Sequence, residues 1–224
     1  MSMLSNLDLI RRVPLFSMLT PSQAESLASA VSKCQFQKGD CVVEQDKHTN
    51  ALYIILSGRA RVLMTDRKGG EVILATLRSG DYIGEMSLID SEPHSATVTA
   101  ERQMDVLVLG RDDFLRCLHG NMSMALAVMR GLVERLRHAD RKIGSLALMG
   151  VYGRVANVLL EFAEPDENGQ LLIKEKISRQ DIAKMVGASR EMVSRVMKDF
   201  EEQGFFETLD GGIVRVYERR CIPR

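Results

Sequence analysis

Short alternating apolar runs separated by glycines fill the chain from about Cys34 to Leu109. The runs are CVVEQ, ALYIILSGRARVLMTD, EVILATLRSGDYIG, SATVTA and MDVLVLG, and glycines fall between them at spacings suited to turns. Many short strands with regular turn signals predict an antiparallel sandwich or barrel. A short helical segment before them, from Pro21 to Val31, is expected to pack on its outside.

A single long helix is predicted to follow, from about Asp112 to Leu148. Within it, apolar or small side chains recur at alternating spacings of four and three, which is the a/d pattern of a coiled-coil seam. A helix packed on its own domain is the simpler interpretation, but three heptads with small Ala139 favour a two-helix homodimer. The predicted seam residues are Met129, Leu132, Leu136, Ala139, Ile143 and Leu146.

Two helices in close succession are predicted beyond Gly150, in ISRQDIAKMVGASREMVSRVMKDFEEQG. Ser178 and Ser189 are the expected N-caps, and Gly187 ends the first helix. A helix in VYGRVANVLLEFAE and a short strand in LLIKEK precede the pair. A hairpin turning at residues 210–212 follows it.

The second helix of this pair leaves a polar face near its N-terminal end. Arginine there can bond guanine at O6 and N7, and glutamate can accept from cytosine N4. A solvated surface face is the alternative, but the short turn and the wing-like hairpin favour a DNA-binding helix-turn-helix. The predicted DNA contacts are Arg179, Gln180, Ser189, Arg190, Glu191, Ser194, Arg195 and Lys198.

Composition narrows the classes of function. The formal net charge is zero, so DNA binding would depend on local rather than total charge. No run approaches the ~20 apolar residues that span a bilayer, and no signal-peptide pattern begins the sequence. The scattered cysteines are typical of reduced thiols, which predicts a cytoplasmic protein. Zinc-spaced ligands, a P-loop and a nucleophile motif are all missing, so neither an enzyme nor a metal site is expected.

With these parts in this order, the chain resembles the CRP/FNR family of bacterial transcription regulators. The segments SGDYIGEMSL, RKIGSLALMGVYGRVANVLL and the helix pair carry the resemblance. It implies an α+β fold: an antiparallel β-roll sensor domain (1–111), a dimerisation helix and hinge (112–149) and a winged helix-turn-helix domain (150–224). It also implies that Arg190, Glu191 and Arg195 read TGTGA-like half-sites in double-stranded DNA, under allosteric control by a ligand in the β-roll.

The family resemblance also implies a phosphate-binding cassette, which begins with Gly-Glu and ends with Arg-Ser or Arg-Thr. Gly84, Glu85 and Ser95 match this pattern, whereas His94 stands where the phosphate-pairing arginine belongs. A histidine near its reference pKa of ~6.5 is only partly charged at neutral pH and cannot form a bidentate fork. The residues expected at the ligand are Gly84, Glu85, Met86, Ser87, His94, Ser95, Ala139 and Asp140.

The sequence leaves four alternatives for what the pocket binds. It could bind cyclic AMP or cyclic GMP, it could bind cyclic di-GMP, or it could be degenerate in a dimer that binds DNA without ligand. Haem is the fourth alternative, because the family's carbon-monoxide sensor also has a histidine in this region.

The helix-turn-helix argues against a signalling module that acts only on a protein partner. The acidic turn EPDENGQ lies where the family's activators touch RNA polymerase.

Overall fold

A computed structural model describes the chain in two compact units. The units are Met1–Leu136 and Arg137–Arg224. The three-part functional division given above stays a prediction. The described residues are 5–11, 13–17, 19–175, 177–209 and 213–217.

Short helices precede the sheets of the first unit. Helix α1 spans Asn6–Ile10, a 3-10 helix spans Pro14–Phe16, and α2 spans Pro21–Ala30. Ser5 and Thr20 cap α1 and α2 through reciprocal bonds with the third residue of each helix, which satisfy backbone N–H groups that a helix start leaves open. These helices cover one side of the apolar core, as the sequence predicted for α2.

Eight antiparallel strands then form two four-stranded sheets, with strand orders β1-β8-β3-β6 and β2-β7-β4-β5. The predicted antiparallel β-roll is confirmed, although its first strand begins at Val31, before the expected start near Cys34. The elements are β1 Val31–Phe36, β2 Cys41–Val43, β3 Ala51–Ser57, β4 Arg59–Thr65, β5 Glu71–Arg78, β6 Tyr82–Ile83, α3 Glu85–Asp90, β7 Thr97–Ala100 and β8 Met104–Gly110.

The interior of the roll includes residues from both faces of β8. In β8 the side chains of Met104, Val106, Leu107 and Leu109 are fully buried. Ile55 packs with Val106 in one apolar cluster, while its neighbours in β3 pack with the N-terminal helices in another. The sheet of β1, β8, β3 and β6 is therefore apolar on both faces, and Leu88 in the segment between β6 and β7 packs in the cluster that includes the N-terminal helices.

The prediction of one helix from Asp112 to Leu148 is wrong. The segment forms α4, Arg111–Gly120, and α5, Met122–Leu148, separated by Asn121 in an extended conformation. Asn121 Oδ1 accepts a bond from the Met124 N–H at 2.9 Å, and its Nδ2 donates to Gln23 at 2.9 Å. Gly120 disfavours helix and Asn121 is of a type that favours N-caps, so this pair interrupts the helix.

In its described residues, the second unit combines three helices of its own with a four-stranded sheet of order β11-β12-β10-β9. The hairpin that forms the predicted wing is present in β11 and β12, and its predicted turn at residues 210–212 lies outside the described residues. The elements are α6 Val151–Phe162, β9 Glu164–Pro165, β10 Leu171–Ile173, α7 Arg179–Val186, α8 Arg190–Glu202, β11 Phe206–Thr208 and β12 Val214–Val216.

Helices α7 and α8 form the predicted helix-turn-helix. Ser178 Oγ accepts a bond from the Asp181 N–H at 3.0 Å, and Ser189 Oγ accepts one from the Met192 N–H at 3.2 Å. Gly187 ends α7 in the left-handed conformation, at a φ of 61°. The apolar face of α8 is buried, with the side chains of Val193, Val196, Met197 and Phe200 in the core of the second unit.

In the part of the chain that the structure describes, no helix combines the length and apolar character needed to span a bilayer.

Candidate functional site

The cassette begins with a backbone turn that only glycine fits. Gly84 has a φ of 97° and precedes the short helix α3. A Cβ atom at this position would lie 2.9 Å from the carbonyl oxygen of Ala51. Positive φ and close backbone approach together require glycine, so the sequence match at Gly84 has a structural reason.

Glu85 is a buried carboxylate with a single ion-pair partner among the described contacts. Its side chain is 1% exposed, and Arg135 Nη1 on α5 donates to Glu85 Oε1 at 2.6 Å. Burial raises the pKa of Glu85, and the positive charge of Arg135 opposes that rise. Glu85 is thus a buried charge whose partner is half-exposed, and removing that partner would leave the charge buried and unpaired.

Arg135 makes further contacts with the strand that leads into the cassette. Its Nη2 donates to the carbonyl oxygen of Tyr82 at 2.5 Å, and its guanidinium carbon lies 4.8 Å from the centre of the Tyr82 ring. These contacts combine an ion pair, a backbone hydrogen bond and a cation–π interaction. Arg135 therefore joins α5 to both ends of the β6–α3 turn.

His94 is buried rather than presented to solvent. Its side chain is 7% exposed, and its Nε2 atom lies 2.8 Å from Thr49 Oγ1. Burial, aided by the neighbouring charge of His48, lowers the pKa of His94. A histidine with a lowered pKa is neutral at pH 7, so this position offers no fixed positive charge.

The remaining predicted ligand residues differ in exposure. Ser87 is buried, whereas Met86 and Ser95 are exposed. Ala139 and Asp140 are exposed on α5, in the second unit. Their contact with a ligand stays a prediction.

The seam predicted on α5 is an exposed apolar stripe. Met129 is 48% exposed, Leu136 61%, Ile143 64% and Leu146 52%, and Leu132 is half-buried against the core of the first unit. Ala139 is exposed as well. Exposure of several large apolar side chains along one face is typical of interaction surfaces.

The polar face of α8 is exposed at its N-terminal end. The side chains of Arg190, Glu191, Arg195 and Lys198 face solvent, and Ser194 is half-buried. The backbone N–H of Glu191 and the Ser189 hydroxyl lower the pKa of the Glu191 carboxyl, so this acceptor is ionised at neutral pH. Arg179, Gln180 and Ser189, at the starts of α7 and α8, are exposed too. The face therefore offers both donors and an acceptor, as base recognition requires.

Among the described residues, no group of three or more His, Cys, Asp and Glu side chains could hold a metal ion. Cys34 and Cys41 are exposed free thiols and Cys117 is a half-buried one, which fits the scattered spacing seen in the sequence. Cys221 lies outside the described residues.

Two family models match the chain. The cyclic nucleotide-binding domain matches residues 33–121, and the Crp-like helix-turn-helix domain matches residues 153–220. The cAMP-activated global transcriptional regulator CRP of Salmonella typhimurium is 32% identical over 209 residues, which cover 89% of this chain and 98% of that protein. The chain belongs to the CRP/FNR family.

Solved structures agree with this CRP/FNR assignment. The catabolite activator protein of Thermus thermophilus is 32% identical, with a TM-score of 0.54 over 92% of this chain and 94% of that one. The c-di-GMP-responsive regulator CLP of Xanthomonas campestris gives a TM-score of 0.73 at 22% identity, over 89% of this chain and 100% of that chain. The second likeness concerns the fold alone.

The CRP/FNR protein is thus a DNA-binding transcription regulator with a cyclic nucleotide-binding domain, in a family of regulators rather than enzymes. Sequence reasoning missed two residues that its cassette depends on, Arg135 and Tyr82. The available signal was a second stripe on α5, formed by Val128, Gly131 and Arg135, one residue ahead of the seam. The stripe indicates that this face of α5 packs against another part of the chain, but it does not show that this part is the cassette.

Proposed function

We propose that the protein is a homodimeric regulator that binds palindromic DNA and is controlled by a cyclic nucleotide in the β-roll. The observation that carries this proposal is the exposed set Arg190, Glu191 and Arg195 at the start of α8, held by a capped helix-turn-helix. The functional parts are the sensor domain at 1–111, the dimerisation helix and hinge at 112–149 and the DNA-binding domain at 150–224.

The DNA target is a pair of TGTGA-like half-sites. Arg190 and Arg195 are proposed to donate to guanine and the ionised Glu191 to accept from cytosine. Arg179, Gln180, Ser189, Ser194 and Lys198 are exposed or half-exposed around them and are proposed as further DNA contacts. A two-fold dimer spaces the half-sites by one helical turn, ~34 Å.

A second copy of the chain is the proposed occupant of the apolar stripe on α5. The stripe repeats with heptad spacing from Met129 to Leu146, and like stripes pack together in two-helix coiled coils. Solvation of so many large apolar side chains is unfavourable, at about 25 cal/mol for each Å². Self-association would remove that cost and bring two recognition helices together.

The ligand is proposed to be a mononucleotide, cyclic AMP or cyclic GMP. By the family resemblance, Glu85 bonds the ribose 2′-hydroxyl, while backbone N–H groups and Ser95 hold the cyclic phosphate. In this chain Glu85 is already paired with Arg135, so ribose binding changes a contact between the cassette and α5. That change is the proposed first step of allosteric control, and Met86, Ser87, Ala139 and Asp140 are proposed to complete the site.

The burial of His94 favours a second candidate, a regulator that responds to cyclic di-GMP or needs no ligand. A neutral imidazole bonded to Thr49 gives the phosphate no counter-charge. Losing such a charge-assisted contact removes on the order of 1.5 to 3 kcal/mol, or roughly ten- to a hundredfold in affinity. The fold of CLP, a c-di-GMP-responsive regulator by its name, makes cyclic di-GMP the natural ligand to compare.

RNA polymerase is the proposed protein partner. The acidic turn at residues 164–170 is exposed apart from half-buried Asp166, and it matches the position used by the family's activators. An interaction confined to a protein partner would leave the polar face of α8 without a role.

A gel shift on a palindromic TGTGA-type duplex tests the proposal, with cyclic AMP, cyclic GMP, cyclic di-GMP or no ligand. Thermal shifts with each compound, and with haem, identify the ligand independently of DNA. We expect specific binding that a cyclic mononucleotide strengthens. Equal binding in all arms would favour the ligand-independent regulator, and no binding to any duplex would refute the proposed DNA target.

A further inference from the structure

A glycine on α5 leaves space that a tyrosine of the cassette strand fills. A Cβ atom on Gly131 would lie 2.0 Å from Tyr82 Oη and 3.1 Å from Tyr82 Cζ. Tyr82 itself is buried, at 8% exposure. No residue with a Cβ atom fits at position 131 while the phenol keeps its position.

Three residues on one face of α5 lie against the phenol. Tyr82 Oη donates to the carbonyl oxygen of Val128 at 3.4 Å, and Arg135 lies over the ring at 4.8 Å. Burial raises the pKa of Tyr82, which keeps the hydroxyl protonated and able to donate. Val128, Gly131 and Arg135 therefore bound a socket on α5, which we call the Tyr82 socket.

The Tyr82 socket and the dimer seam are adjacent stripes of the same helix. The socket uses positions 128, 131 and 135, and the seam uses 129, 132 and 136, one residue further along in each case. Successive residues of an α-helix differ by about 100° in direction. The rotation of α5 about its own axis that accommodates the phenol therefore also determines the direction in which the seam points.

We propose that Tyr82 is a positioning residue, which fixes the rotation of α5 by occupying the Tyr82 socket. It thereby aligns Arg135 with Glu85 and presents Met129, Leu132 and Leu136 for dimerisation. The proposal rests on the proposed function, in which Glu85 receives the ligand and the seam pairs two chains. A change in the cassette is transmitted to the seam through this seated side chain.

Gly131→Ala tests the proposal in the full-length protein, with Gly144→Ala as the matched control. Both glycines lie within α5, so both substitutions bring the same gain in helix propensity. A Cβ at Gly144 meets no atom within 4 Å, whereas one at Gly131 must displace either Tyr82 or α5. The readouts are the dimer dissociation constant by sedimentation, cyclic-AMP affinity by calorimetry and the thermal midpoint.

We expect Gly131→Ala to weaken both dimerisation and cyclic-AMP binding by about tenfold or more, because a shift of about 1 Å suffices for such losses in a positioned site. Gly144→Ala should leave both constants unchanged. Tyr82→Phe removes the atom nearest to the added methyl group and keeps the ring below Arg135. The double variant Tyr82→Phe/Gly131→Ala should therefore recover most of both losses.

Three results would overturn the proposal. One is a Gly131→Ala protein with the dissociation constants of the Gly144→Ala control. Another is a lowered thermal midpoint with both dissociation constants unchanged, since Tyr82 would then only fill the core. The third is a loss that Tyr82→Phe does not relieve. Wild-type protein that neither associates nor binds cyclic AMP would instead refute the dimer and ligand of the proposed function, before any variant is compared.

Discussion

Thr49 Oγ1 and His94 Nε2 lie 2.8 Å apart, and this contact holds the imidazole inside the β-roll. The backbone of His94 is fixed as well, because its N–H donates to the Lys47 carbonyl at 2.8 Å and its carbonyl accepts from the Asp46 N–H at 2.9 Å. A side chain held in this way behaves as part of the core. Its protonation then affects folding as well as ligand binding.

Stability should depend on pH through His94. Its lowered pKa means that the unfolded chain binds a proton more readily than the folded one. The contribution of neutral His94 is therefore present above about pH 6.5, the unfolded value, and is lost as pH falls through the lowered value. In urea titrations between pH 7 and pH 5, His94→Gln should lose less unfolding free energy than wild type.

His119→Gln is the control for that comparison, because His119 is exposed on α4. It should keep the wild-type pH dependence. If His94→Gln also keeps it, the burial of His94 does not control its protonation.

His94→Arg should tighten cyclic-AMP binding by supplying a fixed positive charge to the phosphate. The expected gain is on the order of 1.5 to 3 kcal/mol, roughly ten- to a hundredfold in affinity. Calorimetry at pH 6 and pH 8 should also show wild-type binding improving at the lower pH, while binding by the arginine variant stays level. Undetectable binding by both proteins at both pH values would end the mononucleotide proposal.

Leu136→Arg should yield monomers. Leu136 is 61% exposed in the proposed seam, so the substitution adds a charge to the interface without disturbing the core of the chain. Leu160→Arg, at a 41% exposed apolar residue on α6, is the control and should leave the dimer intact. Sedimentation velocity distinguishes the two, and a Leu136→Arg dimer would locate the interface elsewhere.

Arg190→Ala and Arg195→Ala should each cost about 1 to 3 kcal/mol of binding to a TGTGA-type duplex and relax preference at one base pair per half-site. Glu191→Ala should relax preference at a cytosine with a smaller loss of affinity. Lys174→Ala, at an exposed lysine after β10, is the control. Equal weakening across all sequences by Arg190→Ala would identify a phosphate contact instead.

The fold was largely predictable because its signals are local. Alternation and glycine turns located the strands of the β-roll, and Ser178, Gly187 and Ser189 bounded the helix-turn-helix. The break at Asn121 was missed because apolar periodicity continues across it. The Asn121 side chain caps the start of α5 and also contacts Gln23 on α2, and the second contact cannot be deduced from a single sequence.

The candidate site was less predictable because its chemistry depends on long-range contacts. Motif matching identified Glu85, but its partner Arg135 lies 50 positions away on another element. His94 contacts Thr49, from the loop before β3, and it is the burial of His94 in the folded chain, with the charge of His48, that lowers its pKa. Residue type alone suggested only a partly charged side chain.

The break at Asn121 also determines where the chain tolerates changes in length. A residue inserted within α5 between Val128 and Leu136 would turn everything after it by about 100° relative to everything before it, so neither the Tyr82 socket nor the seam would stay on one face. A residue inserted between Gly120 and Asn121 would fall in non-helical backbone and leave both intact. Among relatives with this architecture, we therefore expect insertions and deletions to gather at the α4–α5 junction and to be excluded from the first half of α5.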